Sequence, residues 1–241
     1  MNYTASLTDY FKSRDWLMNT LLGGLCILIP LVGPIVIMGW LVTGFWARSD
    51  ENLETFPAFD FSKFGIYLER GIWSFLVAFA ASLMLMPIMF LVMISVFLTA
   101  GLFAQSDGQN NWIGILVPVL IVLLYLVGIS MVSLLVAPLK LRASLQQDFV
   151  KAFNVAFIRR FIALTWKEIL LSSLFMMIVG IALSMAGALL FCIGMYFAAV
   201  PIYFVWTHLN KQIYLLYLKR GGEPVPRDPK LNDDPPPLPA V

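Results

Sequence analysis

Charged and chemically reactive side chains are scarce in this chain of 241 residues, of which 12% are Asp, Glu, Lys or Arg. It has one histidine and two cysteines, Cys26 and Cys192, which lie far apart in apolar surroundings. A metal centre or a disulfide framework needs several such residues close together, so neither is expected, and both cysteines are predicted to be buried apolar residues. The formal charge of +2 is too small to indicate a nucleic-acid partner.

The missing charges define four long apolar runs. Residues 16–47, 71–106, 108–139 and 169–207 contain no Asp, Glu, Lys or Arg. Each run is longer than the roughly 20 apolar residues that an α-helix needs to cross a bilayer. The sequence therefore predicts an all-α protein, a polytopic transmembrane helical bundle with a single transmembrane domain over residues 16–220.

Both ends of the chain differ from this domain. Residues 1–15 are polar and amphipathic, unlike a secretory signal, and are predicted to lie on the membrane surface. Residues 221–241 are rich in proline, which favours extended and unpacked chain, so they are predicted to form a disordered tail.

Two segments between the runs combine charges with phenylalanines at helical spacing. Residues 48–70 and 140–167 are predicted to form amphipathic helices at the membrane interface. The aromatic side chains expected to press into the headgroup boundary are Phe56, Phe59, Phe61 and Phe64 in the first segment, and Phe149, Phe153 and Phe157 in the second.

The number of crossings has two interpretations. If each run crosses once, the Lys and Arg residues divide nine to seven between the two sides, and the positive-inside rule decides little. The first run contains Pro30, Gly33 and Pro34, which permit a reversal, and the last run would be about 58 Å long as one straight helix. If both runs reverse as helical hairpins, all 16 Lys and Arg residues share one side. We therefore favour reversal, with both termini on the cytoplasmic side of a bacterial inner membrane, while four and six crossings both stay open.

A few residues inside the runs have specific expectations. Ser74, Ala78 and Ser82 place small side chains four residues apart, a ridge against which another helix can pack. The sole histidine, His208, ends the last run and is expected to be an interfacial residue. Polar residues near the run ends are predicted to hydrogen-bond between helices: Asn19, Thr20, Ser172 and Ser173.

Catalysis and ion-coupled transport are not indicated. No charged side chain lies deep in any run, although such groups normally mark an ion pathway. The runs also have no paired aspartates and no serine beside a base, the arrangements that intramembrane hydrolysis needs. We therefore expect neither an enzyme nor a bound cofactor.

The glycine, proline and aromatic positions together resemble a known family. The residues that carry the likeness are Gly23-Gly24, Ile29-Pro30, Gly33, Gly39-Trp40, Phe56-Pro57-Ala58-Phe59-Asp60, Phe64 and Gly71, then Ala186-Gly187, Cys192-Ile193-Gly194, Pro201 and the polar helix from His208 to Tyr214. They resemble the uncharacterised prokaryotic membrane family catalogued as domain of unknown function four-zero-one-three. The resemblance implies a bacterial or archaeal membrane protein and assigns no role to any residue.

Two functions fit these observations. The first is a non-enzymatic accessory or scaffold component that binds membrane lipids and a membrane protein partner or other copies of itself, through the aromatic segments and the small-residue ridge. The alternative is a carrier or channel for a lipid or apolar solute, in which the irregular backbone around Pro30 and Pro34 lines a cavity. An enclosed cavity at that break favours the carrier, whereas a solid bundle with an exposed apolar flank favours the scaffold.

Overall fold

The computed structural model describes residues 1–48, 52–104, 111–189 and 193–231, and over these residues the regular structure is helical. The α-helices are α1 (Tyr3–Thr8), α2 (Trp16–Ile27), α3 (Val32–Val42), α4 (Phe64–Ala104), α5 (Asn111–Gln146), α6 (Phe149–Ala152), α7 (Val155–Ala188) and α8 (Gly194–Lys219). A π-helical turn, Thr43–Ala47, extends α3, and short 3-10 turns occur at Asp9–Lys12, Phe61–Lys63 and Pro229–Leu231. The predicted all-α class is confirmed for the described chain.

Polar side chains cap several of these helices. The Asn154 side chain accepts a hydrogen bond of 2.9 Å from the Phe157 N–H at the start of α7. Asp148 accepts from the Lys151 N–H at 3.0 Å at the start of α6, and Asn2 accepts from the Ala5 N–H at 2.9 Å in α1. Each cap satisfies a backbone donor that has no partner inside the helix.

The first apolar run turns back on itself at the predicted break. Helix α2 ends at Ile27 and α3 begins at Val32, with Leu31 in the left-handed backbone region at φ 64°. A Cβ atom on Gly23 of α2 would lie 3.2 Å from Ile37 Cδ1 of α3, which shows that the two helices lie side by side. Gly33 contacts the end of α2 closely, because a Cβ atom there would meet the Cys26 carbonyl oxygen at 2.2 Å. Cys26 itself is buried.

Two glycines bring α3 and α4 into backbone contact. A Cβ atom on Gly39 would meet the Tyr67 carbonyl oxygen at 1.7 Å, and one on Gly71 would meet the Ile35 carbonyl oxygen at 1.8 Å. Only hydrogen fits at either position, so the two helices cross at a distance that no other residue allows. This crossing is built by Gly39 and Gly71 rather than by the predicted serine and alanine ridge.

The predicted ridge on α4 divides into three different environments. Ser74 is buried, and its Oγ lies 2.6 Å from Ser144 Oγ on α5. Ala78 is partly buried, whereas Ser82 is exposed and its hydroxyl donates to the Ala78 carbonyl of its own helix. As one continuous packing ridge the prediction is wrong, because α4 meets α5 near Ser74 and leaves the Ser82 side uncovered.

The last apolar run also reverses. Helix α7 ends at Ala188 and α8 begins at Gly194, and a Cβ atom on Gly187 would lie 2.8 Å from the Gly194 carbonyl group. At the other end of this hairpin, the Phe157 and Phe161 rings of α7 pack against Tyr217 of α8, with ring centroids 5.5 and 5.0 Å apart. The two helices are therefore antiparallel neighbours along their length.

Two helical segments of the described chain are long and apolar enough to cross a membrane, Val119–Gln146 and Val155–Ala188. The prediction of four such segments is not met. The first run is divided at Pro30 into helices of 12 and 11 residues, and the last run is divided between α7 and α8. Two shorter apolar helices, Trp16–Ile27 and Val32–Ala47, come from the first run.

The predicted interfacial helices differ from the structure. In the described part of segment 48–70, residues 52–60 are irregular, and α4 begins at Phe64. Segment 140–167 is divided among the end of α5, the short α6 and the start of α7. Neither segment forms a separate amphipathic helix, because the spacing that suggested one continues directly into the long helices.

Three of the seven predicted interfacial phenylalanines belong to the core. Phe56 and Phe59 are 4% and 3% exposed, and Phe157 is 8% exposed. Trp40 accounts for the burial of Phe56 and Phe59. Its ring meets both rings edge-on, with centroids 5.3 and 5.8 Å away, and its Nε1 donates to the Pro57 carbonyl at 2.9 Å. The remaining four are exposed (Phe61 and Phe153) or partly buried (Phe64 and Phe149).

The N-terminal segment, the described C-terminal segment and the polar connections meet at one end of the bundle. The Asn2 N–H donates to Gln212 of α8 at 2.8 Å, and Arg220, which directly follows α8, forms a double ion pair with Glu168 of α7 at 2.6 and 3.0 Å. The Asp228 N–H donates to the Leu145 carbonyl of α5 at 2.8 Å. This arrangement places the functional candidates below in a single polar layer.

Candidate functional site

The chain after α8 packs against the bundle as a C-terminal strap, residues 221–231. Its backbone N–H groups at Val225 and Glu223 donate to the hydroxyls of Tyr214 and Tyr217 at 2.8 and 3.1 Å. Leu231 at its far end is completely buried. The prediction of a disordered tail is therefore wrong for residues 221–231, because apolar anchors and tyrosine acceptors replace the solvent that polyproline segments usually need.

Ion pairs also connect the strap with other helices. Glu223 pairs with Arg160 of α7 at 2.5 Å, and Lys230 pairs with Glu69 of α4 at 2.7 Å. The Lys230 carbonyl accepts a hydrogen bond of 3.0 Å from buried Arg70. Because the ion pairs are exposed, solvent screens them and each contributes little to stability, so their main effect is to fix the position of the strap. Residues 232–241, the rest of the predicted disordered tail, lie outside the described residues.

A cavity of about 360 Å³ lies between the strap and the bundle. Its polar lining is cationic and comes from three elements: Arg48 follows α3, Lys211 lies on α8, and Arg227 lies on the strap. Its apolar lining consists of Phe45, Trp46, Leu145, Leu215, Leu218, Pro224 and Val225, and Tyr214 contributes both a ring and a hydroxyl. No acidic side chain is among the lining residues that the structure describes.

Local structure explains how these groups converge. The π-helical turn Thr43–Ala47 widens the end of α3 and leads directly to Arg48. Arg48 Nη2 then donates to the Asn52 carbonyl at 3.3 Å and to Thr55 Oγ1 at 2.7 Å, so its guanidinium is held in place. The strap supplies the third cation, and its own carboxylates are engaged elsewhere: Glu223 with Arg160 and Asp228 with the Lys230 N–H at 2.9 Å. The arrangement suits an anionic group that presents an apolar part to the aromatic wall.

A second, smaller cavity of about 20 Å³ lies deeper between α3, α4, α5 and α8. Its polar lining residues are Ser74, Lys140, Ser144, Thr207 and Asn210. The hydroxyl of Ser144 donates to the Lys140 carbonyl at 2.9 Å, and Asn210 donates to the Trp206 carbonyl at 2.9 Å. The volume is sufficient for a single water-sized group, so this cavity suits a structural water rather than a substrate.

His208 lies in a third polar cluster, formed with the N-terminal segment. Its Nδ1 is 3.9 Å from Asp9 Oδ2, and Asp9 also pairs with Lys12 at 2.7 Å. Burial lowers the pKa of His208; Asp9 opposes this effect, whereas Lys211 and Lys12 lower the pKa further. The imidazole also stacks on Phe45, with centroids 5.6 Å apart. These contacts connect the N-terminal segment with α8.

The other predicted polar residues form structural contacts. Asn19 Oδ1 accepts a hydrogen bond of 2.7 Å from the buried Phe59 N–H, and Thr20 Oγ1 lies 2.7 Å from the Tyr10 hydroxyl. Ser172 contacts the Met1 sulfur at 4.0 Å, and Ser173 donates to the Leu170 carbonyl at 2.8 Å. Among the described residues, no group of three or more His, Cys, Asp or Glu side chains is arranged to hold a metal ion. The predicted buried Cys192 lies outside the described residues.

Sequence reasoning did not find the cationic cavity. Arg48, Lys211 and Arg227 are separated by 163 and 16 positions in the chain. The first two closely follow apolar runs, where a membrane-flanking cation is the ordinary interpretation, and the third lies in the end predicted to be disordered. The available signal for a packed strap was Val225, an apolar residue within the proline-rich end, because apolar side chains commonly pack against other residues.

The parts of the sequence that carried the family resemblance contact each other. Trp40 of α3 packs against Phe56 and Phe59, the adjacent Gly39 contacts Tyr67 of α4, and a Cβ atom on Gly44 would meet the Phe56 ring at 2.1 Å. These glycines and aromatic residues therefore form one structural unit at the end of α3. No curated protein and no solved structure matches the chain. The family model described as "Protein of unknown function (DUF4013)" matches residues 22–192, more than two thirds of the sequence, and the chain belongs to that family.

Proposed function

We propose that this protein is a multi-pass protein of the bacterial cytoplasmic membrane with a non-enzymatic accessory or scaffold role. In this role it binds membrane lipid and associates with a second membrane protein or with further copies of itself. The observation that carries the proposal is the exposed apolar flank of the hairpin formed by α4 and α5.

Many of the described apolar side chains on this flank are exposed. On α4, the exposed side chains include Met86, Phe90 and Phe97, with exposed fractions of 66%, 58% and 71%. On α5, exposed apolar side chains recur from Leu116 to Leu135. Monomeric soluble proteins rarely expose a contiguous apolar patch of more than a few hundred Å². Acyl chains and the apolar helices of another membrane protein are the surroundings that suit it.

The polar layer supports a cytoplasmic position for the N-terminal segment and for the C-terminal strap. Arg160, Arg220 and Lys230 lie there together with the N-terminal helix. Cytoplasmic segments of membrane proteins carry an excess of Lys and Arg, so this end is the one that we assign to the cytoplasm.

Packing at the Pro30 break supports the scaffold role over the carrier. A carrier would use the irregular backbone there to line a cavity. Instead, Gly33 contacts the end of α2 so closely that a Cβ atom would overlap the Cys26 carbonyl. Backbone therefore occupies the space beside Gly33 at the inside of the break, which favours the scaffold.

The proposal is tested by purifying the full-length protein from native membranes into nanodiscs at native expression level and identifying co-purifying proteins and lipids by mass spectrometry. We expect a stoichiometric second protein or a defined homo-oligomer. The double variant Phe90→Ala/Phe97→Ala should lose that association, whereas the matched change Leu171→Ala/Leu174→Ala on the exposed side of α7 should retain it. A monomer without protein partner that moves a lipid or apolar solute in liposomes would overturn the scaffold role and establish the carrier.

A further inference from the structure

We infer that the cationic cavity under the C-terminal strap binds a phosphate-bearing group, a phosphate mono- or diester with a short apolar continuation. The inference deepens the proposed function, because the lipid form of this ligand requires the membrane placement proposed above. A soluble phosphate ester has the same chemistry and is the second source to be tested.

The charge of the lining is the first argument. Arg48, Lys211 and Arg227 approach one space from three separate elements. The guanidinium groups of the two arginines match the geometry of phosphate oxygens with two parallel N–H donors each, and the lysine adds a third positive charge to the same lining. Arg227 forms no ion pair within the part of the chain that the structure describes.

Size and wall chemistry form the second argument. A volume of about 360 Å³ is at the lower end of the range of roughly 300–1,000 Å³ for small-molecule sites. Trp46, Tyr214 and Leu218 form a mainly apolar wall. A bare inorganic anion would leave this wall uncovered, whereas the glycerol carbons of a phospholipid headgroup or of a glycerol phosphate would cover it.

The strap supplies the third argument, because it completes the site. Pro224, Val225 and Arg227 form one side of the cavity. The strap is held above the helices by the Val225 bond to Tyr214 and the Asp228 bond to Leu145. These backbone anchors on either side of Arg227 fix the position of its backbone beside the cavity, and its exposed side chain is among the lining groups.

The test uses the full-length protein in micelles of an alkyl maltoside detergent, which contains no phosphate, with three added probes in separate arms: phosphatidylglycerol, glycerol 3-phosphate, and diacylglycerol as a phosphate-free lipid. Native mass spectrometry counts the bound probe. We expect saturable binding of at least one phosphate probe with a stoichiometry of one, and none of diacylglycerol. Binding of phosphatidylglycerol alone identifies the lipid source, and binding of glycerol phosphate identifies a soluble ligand.

Two variants that remove one positive charge each distinguish a specific site from general attraction. Arg227→Gln should weaken phosphate binding about 10-fold or more, since a hydrogen bond to a charged group is lost. Arg159→Gln removes an exposed cation of α7 that does not line the cavity and should change binding less than about 2-fold. Arg227→Lys keeps the charge and should retain most of the affinity, and an unchanged melting temperature shows that each variant is folded.

Equal effects of Arg227→Gln and Arg159→Gln, equal retention of diacylglycerol, or no bound phosphate probe would each overturn the inference. These results would not affect the scaffold proposal, because that proposal is judged by co-purification of a protein partner and by the α4 variants.

Discussion

The Oγ atoms of Ser74 and Ser144 lie 2.6 Å apart at the buried crossing of α4 and α5. Ser144 directs its own hydrogen to the Lys140 carbonyl at 2.9 Å, so Ser74 is the donor between the two hydroxyls. The pair borders the small cavity beside Lys140 and connects the long apolar hairpin to the polar layer. This hydroxyl pair fixes the position of α4 relative to α5, because separating the helices would leave a buried hydroxyl without its hydrogen-bond partner.

Replacing Ser74 by alanine should therefore lower stability. We expect Ser74→Ala to reduce the free energy of unfolding by about 0.5–1.5 kcal/mol, the net value of one buried hydrogen bond. Ser82→Ala on the same helix should change it by less than about 0.5 kcal/mol, because Ser82 is exposed and bonds its own helix. Equilibrium unfolding in mixed micelles, followed by circular dichroism, measures both. Equal losses would show that the hydroxyl pair does not stabilise the crossing.

The backbone contact between α3 and α4 predicts a strong glycine requirement. Gly39→Ala places a methyl group on the Tyr67 carbonyl oxygen, so the helices must separate, and we expect a loss of about 3 kcal/mol or more. Gly65→Ala is the matched control on α4, since its Cβ atom meets nothing within 4 Å. That change should be neutral or stabilising by up to about 1 kcal/mol, because alanine is the better helix former. Thermal unfolding in detergent ranks the two, and a tolerated Gly39→Ala would contradict the close crossing.

Strap anchoring depends on burial rather than on charge. Leu231→Ala should cost about 2–5 kcal/mol of the strap's docking free energy, since the side chain is completely buried. Lys230→Ala, which removes an exposed and solvent-screened ion pair with Glu69, should change the docking free energy far less than Leu231→Ala does. Limited trypsin cleavage at Arg227 reports docking, and we expect faster cleavage in the leucine variant. Rapid cleavage of the unaltered protein would show that the strap is undocked.

The His208 cluster predicts a pH dependence of stability. Burial lowers the pKa of His208 below its ordinary value of 6.5, with Asp9 opposing this and Lys211 and Lys12 adding to it. Between the lowered pKa and 6.5 the unfolded chain therefore binds more protons than the folded chain, so stability is complete above about pH 6.5 and decreases as the pH falls through the lowered pKa.

Two measurements check this behaviour. Unfolding between about pH 7.5 and pH 5 should show a loss of stability that is smaller in His208→Gln, which has no titrating imidazole. Nuclear magnetic resonance of the imidazole protons should give a pKa below 6.5. A raised pKa would show instead that the Asp9 carboxylate, 3.9 Å away, outweighs burial.

The sequence predicted most of the local structure, and failed where a residue's role depends on distant neighbours. The chain reverses at Pro30 and again at the end of α7. Both reversals follow from residues next to each other in sequence, which limit the backbone directly. Phe56 and Phe59 looked interfacial because their spacing was compatible with a helix, but Trp40, which lies 16 and 19 positions earlier, takes both into the core. Spacing along a chain cannot reveal such a partner.

The candidate site was the least predictable feature. Arg48 and Lys211 are ordinary membrane-flanking residues in sequence, and the strap that carries Arg227 looked like disordered chain. What brings Arg227 beside Arg48 and Lys211 is the bonding of the strap backbone to Tyr214 and Leu145. No local pattern specifies those acceptors, because each belongs to a helix that becomes adjacent only after folding.

By itself, the sequence determined that the chain is helical and largely apolar, and that its first and last runs can turn back, because composition and the backbone limits of proline and glycine act locally. The tertiary structure alone decided which helices touch. Gly39 and Gly71 bring α3 onto α4, Ser74 meets Ser144, and the strap covers a cationic cavity. These outcomes depend on the shape and hydrogen-bonding capacity of surfaces that are far apart in the chain, and such complementarity exists only when the helices have packed.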